Sequence, residues 1–301
     1  MGETVRASAP GSIANLGCLF DVGGAAIGAF RDFVEVRREG RNIKVKATGP
    51  VPGGEWNVAH LVAEAFLSRI NADEGVLIHV IKGVPVSAGL GSSGATAAAT
   101  TLALNELFQA SLGIEELLEM AARGEALVAG EPHYDNVAAS LVGGVVMIDP
   151  QQPARLIKIK PPEWLRVVIF LRQSNVSGKT RVMRKILPKH VPLRKASMQV
   201  FASAALAWGF LEAREEGLKY ANVGGVVEEV RAAYIENYWK AKEAALNAGA
   251  LAFNISGAGP SLFALVKRGQ EDKVAESVLQ VLKGYSVVKT CIDVRGAVIE
   301  D

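Results

Sequence analysis

The run Pro85-Val-Ser-Ala-Gly-Leu-Gly-Ser-Ser-Gly-Ala95 constrains this chain more than any other feature, because an Ala-rich stretch follows it to residue 109 with no Gly or Pro after Gly94. Gly at 89 and 91 opens main-chain conformations closed to other residues. A helix beginning at Ser92 offers N–H groups that have no partner within the helix, together with the positive end of its dipole. Such a bend is an anion cradle, and polyphosphate is its usual guest. A Ser after a tight turn is often no more than a helix cap. Three Gly, the adjacent hydroxyls of Ser92 and Ser93 and a long small-residue helix outweigh that explanation.

Two phosphate-binding fingerprints fit only in part. Gly89-Leu-Gly91-Ser-Ser-Gly94 satisfies GxGxxG, but the dinucleotide version needs its first Gly close behind a strand and an acidic residue about 20 residues on, at the end of a second strand. Here residues 83–88 intervene, the chain stays helical to 109, and Glu106 lies on that helix. Gly178-Lys179-Thr180 resembles the tail of a Walker A loop, yet the earlier Gly that loop requires falls at Gln173. We read it as a substrate or helix-start loop. A third glycine loop, Ile255-Ser-Gly-Ala-Gly-Pro-Ser261, suits either an ordinary turn or a lip closing over the first loop. Spacing does not decide between them.

Periodicity places a short strand at 5–9 before a loop at Pro10-Gly11, and strands at 33–38 and 43–47 flanking Gly40 as a hairpin. Helix spacing runs over 57–70, 92–109 and 115–129, and apolar runs at 76–81, 145–148 and 167–171 read as strands. The Pro-containing stretch 149–162 is taken as the boundary between domains 1–155 and 156–301. Beyond it come helical material at 197–247, a strand–loop–strand over 251–266, a helix at 271–282 and a last strand at 286–294. Without a strict β-α-β rhythm, α+β is favoured over a doubly wound sheet.

Half the residues are hydrophobic and net charge is +2, which excludes a disordered chain and argues against a dedicated nucleic-acid binder. Cys18 and Cys291 form neither a disulfide framework nor a CxxC pair. No apolar run approaches the roughly 18 residues that span a bilayer. The first residues carry no signal-peptide core, and Arg6 stands where a myristoylation signal wants Ser or Thr. The expectation is a cytoplasmic protein without membrane or nucleic-acid partners.

Several segments then point to one family. Pro85, Val86, Ser87, Ala88, Gly89, Leu90, Gly91, Ser92, Ser93, Gly94 and Ala95 resemble the ATP motif of the galactokinase, homoserine kinase, mevalonate kinase and phosphomevalonate kinase (GHMP) superfamily. Ser256-Gly257-Ala-Gly259-Pro-Ser261 resembles its C-terminal glycine motif. Ala9-Pro-Gly-Ser-Ile-Ala-Asn15-Leu-Gly, followed by Phe20-Asp21, resembles its N-terminal motif in the version typical of homoserine kinases. His133-Tyr-Asp135-Asn136 is similar to the His-Pro-Asp-Asn signature of those enzymes, and Thr180, Arg184, Leu187-Pro188 and Glu228 to Arg231 fall in the matching order. Leu19 stands for a usual Gly, Tyr134 for Pro, and Ile235-Glu236 for Ile-Pro. The resemblance implies an N-terminal domain like the second domain of ribosomal protein S5 and a ferredoxin-like C-terminal domain. It also implies ATP-dependent phosphorylation of L-homoserine to O-phospho-L-homoserine, for threonine synthesis.

On that resemblance the ATP phosphates lie on residues 89–93, and Ser93 with Glu125 hold Mg²⁺, a hard ion that prefers oxygen. An exposed, solvated Glu on an amphipathic helix is otherwise the commoner explanation of Glu125. Homoserine carries a carboxylate, which Arg184 and Arg231 would grip bidentately, and an ammonium for Asp21, Asp135 and Asn136, with Asn15 and His133 nearby. Asp21, Asp135 and His133 are all candidates to take the hydroxyl proton, and a loose transition state leaves room for no indispensable base. Asn57, just ahead of its helix, is a candidate for the adenine pocket. The rival readings are another kinase of the superfamily, for mevalonate or shikimate, and a non-catalytic sensor of the same fold. A homodimer is common among such enzymes, but the sequence points to no interface.

Overall fold

The computed structural model describes residues 4–129, 134–149, 151–152, 155–174 and 179–301. Its first sheet is built on a long antiparallel pair, β1 (Thr4–Ala14) and β2 (Gly23–Arg38). The strand expected at 5–9 runs on through Pro10 and Gly11, because a register shift between those two residues absorbs them. A proline that cannot donate to a ladder is tolerated at such an irregularity.

β3 (Ile43–Thr48) and β4 (Val76–Ile81) correct the expected hairpin. Both strands around Gly40 exist, but β4 lies between them, antiparallel to β2 and parallel to β3. β4 is apolar except for His79, whereas β3 carries Lys44 and Lys46. The interior slot goes to the strand that gains from burial, and the lysines hold the edge, where they discourage further pairing.

Three helices pack on this sheet, α1 (Val58–Arg69), α2 (Ser92–Leu107) and α4 (Tyr134–Val142), and α3 (Ile114–Ala129) packs against them. Asn57 caps α1, its side chain accepting from the N–H of Ala59 at 3.0 Å. The core between helices and sheet holds Val34, Val36, Val62, Phe66, Ile78, Val80, Leu104 and Leu118. β5 (Val145–Ile148) pairs with β2 and with β6 (Leu156–Ile159). β6, a short and largely solvent-facing edge strand, lies within the stretch read as linker.

The second sheet has the order β10-β7-β9-β8 and is antiparallel throughout. In chain order its half contains β7 (Leu165–Leu171), α5 (Lys179–Lys185), α6 (Leu193–Leu211), α7 (Glu215–Leu218), α8 (Gly225–Ala232) and α9 (Tyr238–Asn247). β8 (Ala252–Ile255), β9 (Leu262–Lys267), α10 (Glu271–Val281) and β10 (Ser286–Thr290) follow. The strand expected at 286–294 stops at Thr290, and β11 (Val298–Glu300) returns to pair with β1. Arg31 anchors that return, donating to Asp293 and to the Gly296 carbonyl, each at 2.8 Å. A second core joins the halves, with Ile13, Leu16 and Leu19 packed with Ile169, Leu206 and Phe263. A third lies under α9 and α10. Among the described residues no helix is long and apolar enough to cross a membrane.

Candidate active site

One cavity of about 520 Å³ lies where β1, the loop before α2, α5, α8 and the β8–β9 loop converge. Its floor is the first glycine loop. Gly89 has φ +79° and Gly91 φ +63°, the left-handed region that favours glycine. A Cβ at Gly91 would lie 2.0 Å from the Ser12 hydroxyl oxygen. The root of the loop is fixed by Asp32, which has no solvent exposure and accepts from the N–H groups of Gly83 and Val84 at 3.0 and 2.9 Å. Its other oxygen receives the Lys82 ammonium and the Thr96 hydroxyl. Gly91 is the N-cap of α2 and supplies no side-chain cap, so the first amides of that helix are left for a ligand.

The second glycine loop touches the first. Ser256 donates its hydroxyl to the Gly89 carbonyl at 2.6 Å, and the Ser261 N–H donates to Ala88 at 3.2 Å. A Cβ on Gly89 would lie 2.5 Å from the Ser256 carbonyl oxygen and 2.8 Å from that of Gly259. Both loops need bare backbone here, and the β8–β9 loop is a lip over the first.

Within residues 85–95 the structure separates two roles. Pro85, Val86, Ser87, Gly89, Leu90, Gly91, Ser92 and Ser93 line the cavity, whereas Ala88, Gly94 and Ala95 do not. Ala88 and Ala95 are fully buried, and Gly94 gives room to Asn136, whose Cβ lies 3.2 Å from where a Gly94 Cβ would be. The two serine hydroxyls also divide. Ser92 donates to the Val84 carbonyl at 3.0 Å and so closes the loop, while Ser93 donates to Glu125 at 2.7 Å.

Glu125 is therefore no solvated surface residue: it is 3% exposed and faces the cavity. Burial pushes its carboxyl up to about 8, against the Ser93 hydrogen bond and with help from the charge of Asp135. Asp135, at the start of α4, is pushed up to about 7 by burial and then by Asp21. Asn136 accepts from the Ser12 hydroxyl at 2.9 Å.

Cations stand beside these carboxylates. Arg184 on α5 forks onto Asp21 through two bonds of 2.7 and 2.9 Å. Asn15 accepts from the Asp21 N–H at 3.2 Å and orients that turn. Arg231 on α8 donates to the Gly257 carbonyl at 2.8 Å, and its buried Nε has no partner among the described residues. The guanidinium groups of Arg184 and Arg231 lie 5.6 and 5.5 Å from the Phe20 ring centre. Burial lowers Arg231 to about 10.

Asn15, Asp21, Glu125, Asp135, Asn136, Thr180, Arg184, Arg231, Gly257 and Gly259 thus line the same cavity as the anion loop. His133 lies outside the described residues. Asn57 lines the cavity as well, but its amide is engaged in capping α1 and in donating to Pro52 at 2.7 Å. Residues missed in the sequence are Trp56, 82% exposed at the rim, with Lys82, Lys179 and Arg181. Lys179 and Arg181 carried a signal, in the segment set aside as an incomplete Walker A loop. Among the described residues no group of three or more His, Cys, Asp or Glu is placed to hold a metal. The hard-ion donors on offer are the Ser93 and Glu125 oxygens. They suit Mg²⁺, which keeps its waters and takes few protein ligands.

Comparison with known proteins gives a consistent result. Residues 57–144 match the family model for the GHMP kinases N terminal domain, and residues 203–284 that for GHMP kinases C terminal. A homoserine kinase of Thermoplasma acidophilum is 33% identical over 300 residues, covering 98% of this chain and 96% of that protein. One of Aeropyrum pernix is 38% identical over 274 residues, 86% of each chain. The crystal structure of homoserine kinase from Cytophaga hutchinsonii superposes with a TM-score of 0.92 at 30% identity, covering 100% of this chain and 98% of that one.

Proposed function

Since the chain belongs to the GHMP kinase family and has that family's two-domain α+β fold, we propose that it transfers the γ-phosphoryl group of ATP to the hydroxyl of L-homoserine. The product is O-phospho-L-homoserine, and the place of the reaction is threonine synthesis. The observation that carries this reading is the meeting, in one cavity, of a bare-backbone anion loop with a cluster of carboxylates, amide and guanidinium groups. The homoserine kinases among its relatives support it. Phosphoryl transfer asks for positioning and charge neutralisation more than for covalent help.

The amides of residues 89–93 hold the ATP phosphates at the head of α2. Ser93 and Glu125 would hold Mg²⁺, which would neutralise phosphate charge there. Burial raises the Glu125 carboxyl toward about 8, so it would bind the ion as the carboxylate more readily at alkaline pH. Arg231, whose side chain lines the cavity, takes the acceptor's carboxylate. Arg184 is already forked onto Asp21, so it positions that carboxylate, and Asp21 with Asp135 and Asn136 receives the acceptor's ammonium. Asn15, Thr180 and the glycines at 257 and 259 complete the enclosure. No side chain is required as a base: the hydroxyl oxygen bonds to phosphorus as the bridging bond to ADP breaks, and the proton leaves late. ATP as donor supports a cytoplasmic site of action. The division 1–155 and 156–301 has one family segment on either side of it, although β6 and β11, beyond residue 155, pair into the first sheet.

A coupled assay of ADP release with L-homoserine, mevalonate and shikimate in parallel tests the reading. We expect turnover with homoserine far above the other two. Preference for mevalonate or shikimate would move the substrate, and no product from any alcohol would make the protein a ligand sensor.

A further inference from the structure

Lys179, the first residue of α5, has no place in the scheme above, yet its side chain lines the cavity. Its Nζ lies 3.8 Å from where a Cβ on Gly259 would be, against the lip that closes on Gly89. It makes no hydrogen bond or ion pair among the described residues, although it is half-buried. Its charged neighbours are cations. Arg231 is one. Arg172 is the other, its guanidinium 5.3 Å from the centre of the Tyr285 ring and its backbone N–H bonded to the Ser261 hydroxyl at 3.1 Å. Burial, then Arg172, then Arg231 push the Lys179 amine down to about 8.

A half-buried ammonium beside two guanidinium groups, with no bond of its own among the described residues, is unfavourable when no anion is bound. It becomes favourable when an anion arrives. The anion has an address: Lys179 lies against the lip that touches Gly89, lines the same cavity as residues 89–93, and is near enough to Arg231, the group assigned to the acceptor, to feel its charge. On the kinase reading the phosphorus in transit passes through that cavity.

We propose that Lys179 is a catalytic residue whose ammonium binds the non-bridging oxygens of the transferring phosphoryl group, in the cavity it shares with the first glycine loop. This rests on the kinase reading given above. In the step it serves, the acceptor hydroxyl oxygen forms a bond to the γ-phosphorus while the bond from that phosphorus to the β–γ bridging oxygen breaks. The bonding pair departs with ADP, the hydroxyl proton passes to solvent, and the charge on the equatorial oxygens stays next to Lys179 throughout. The segment fails as a Walker A loop for want of a glycine at 173, but it still delivers a lysine to phosphate.

The test compares the parent protein with K179M and K179R, with a non-hydrolysable ATP analogue and ADP as probes in calorimetric titrations. Removing one charge-stabilising donor should lower kcat by roughly 10²–10³-fold in K179M, with the KM for homoserine within about threefold of the parent. K179R should recover at least a tenth of the lost rate. In K179M the analogue should lose affinity at least tenfold more than ADP does, because only the analogue carries the terminal phosphate. An unchanged kcat in K179M, or equal losses for the analogue and ADP, overturns the proposal. The comparison of the two nucleotides needs no acceptor, so it stays decisive even if homoserine proves not to be the substrate. Should K179M not fold, K179Q takes its place in the same comparisons.

Discussion

Replacing Glu125 by Gln should make the ligand-free protein more stable while stopping its chemistry, and the gain should depend on pH in a defined direction. The carboxyl is buried on α3, bonded by the Ser93 hydroxyl at 2.7 Å, and raised from an ordinary 4.5 to about 8, first by burial and further by Asp135. For an acid raised in the folded state, the unfolded chain releases its proton first, so folding loses stability as pH climbs from the ordinary value toward the raised one. The penalty is nearly absent below pH 4.5 and complete above about 8. At 1.36 kcal/mol per unit, it amounts to about 3 kcal/mol at pH 7 and to about 1 kcal/mol or less at pH 5. Gln has the same shape, accepts the same Ser93 bond and has no charge to desolvate. E125Q should therefore melt roughly 5 °C above the parent at pH 7, with most of that difference gone at pH 5. Thermal scans of both proteins at the two pH values measure it. Adding Mg²⁺ with ADP should then stabilise the parent more than E125Q. An E125Q protein less stable than the parent at pH 7, or a difference that grows as the pH falls, would refute the reasoning.

Three other outcomes follow from the site. R231A should raise the KM for homoserine at least tenfold more than that for ATP, since Arg231 lines the cavity and is assigned to the acceptor; equal rises in a steady-state assay would remove Arg231 from the acceptor pocket. D135N should keep measurable turnover while weakening homoserine binding, because Asp135 is assigned to the ammonium; loss of all turnover with both substrates still bound in titrations would make it an indispensable base. The K179M and K179R comparison adds the charge that Lys179 brings to the phosphate.

What could be read from the sequence was local. Asn57 ahead of an apolar stripe marks the start of α1, and Gly91-Ser92 before an Ala-rich run marks that of α2, because caps and periodicity act within a few residues. The place of β4 between β2 and β3 was not readable, since adjacency on the sheet is decided by burial over a whole strand and not by nearness in sequence. β6 and β11 escaped notice for a related reason: each is a short edge strand held by a long-range partner. The site shows the same division. Gly89 and Gly91 announce a bend on their own, whereas Asp21, Glu125, Arg184 and Arg231 come together only through the fold, and a family resemblance was needed to group them. That resemblance does not reach Lys179. Nor could residue type show that Ser92 serves the loop while Ser93 serves Glu125.

The most direct test of the central claim is a crystal structure of the protein with a non-hydrolysable ATP analogue and L-homoserine. The account predicts phosphate oxygens within hydrogen-bond distance of the main-chain N–H groups of residues 89–93, the terminal phosphate facing the homoserine hydroxyl, and the homoserine carboxylate on Arg231. A triphosphate bound elsewhere, or a crevice between the two glycine loops that stays closed to it, would contradict the account.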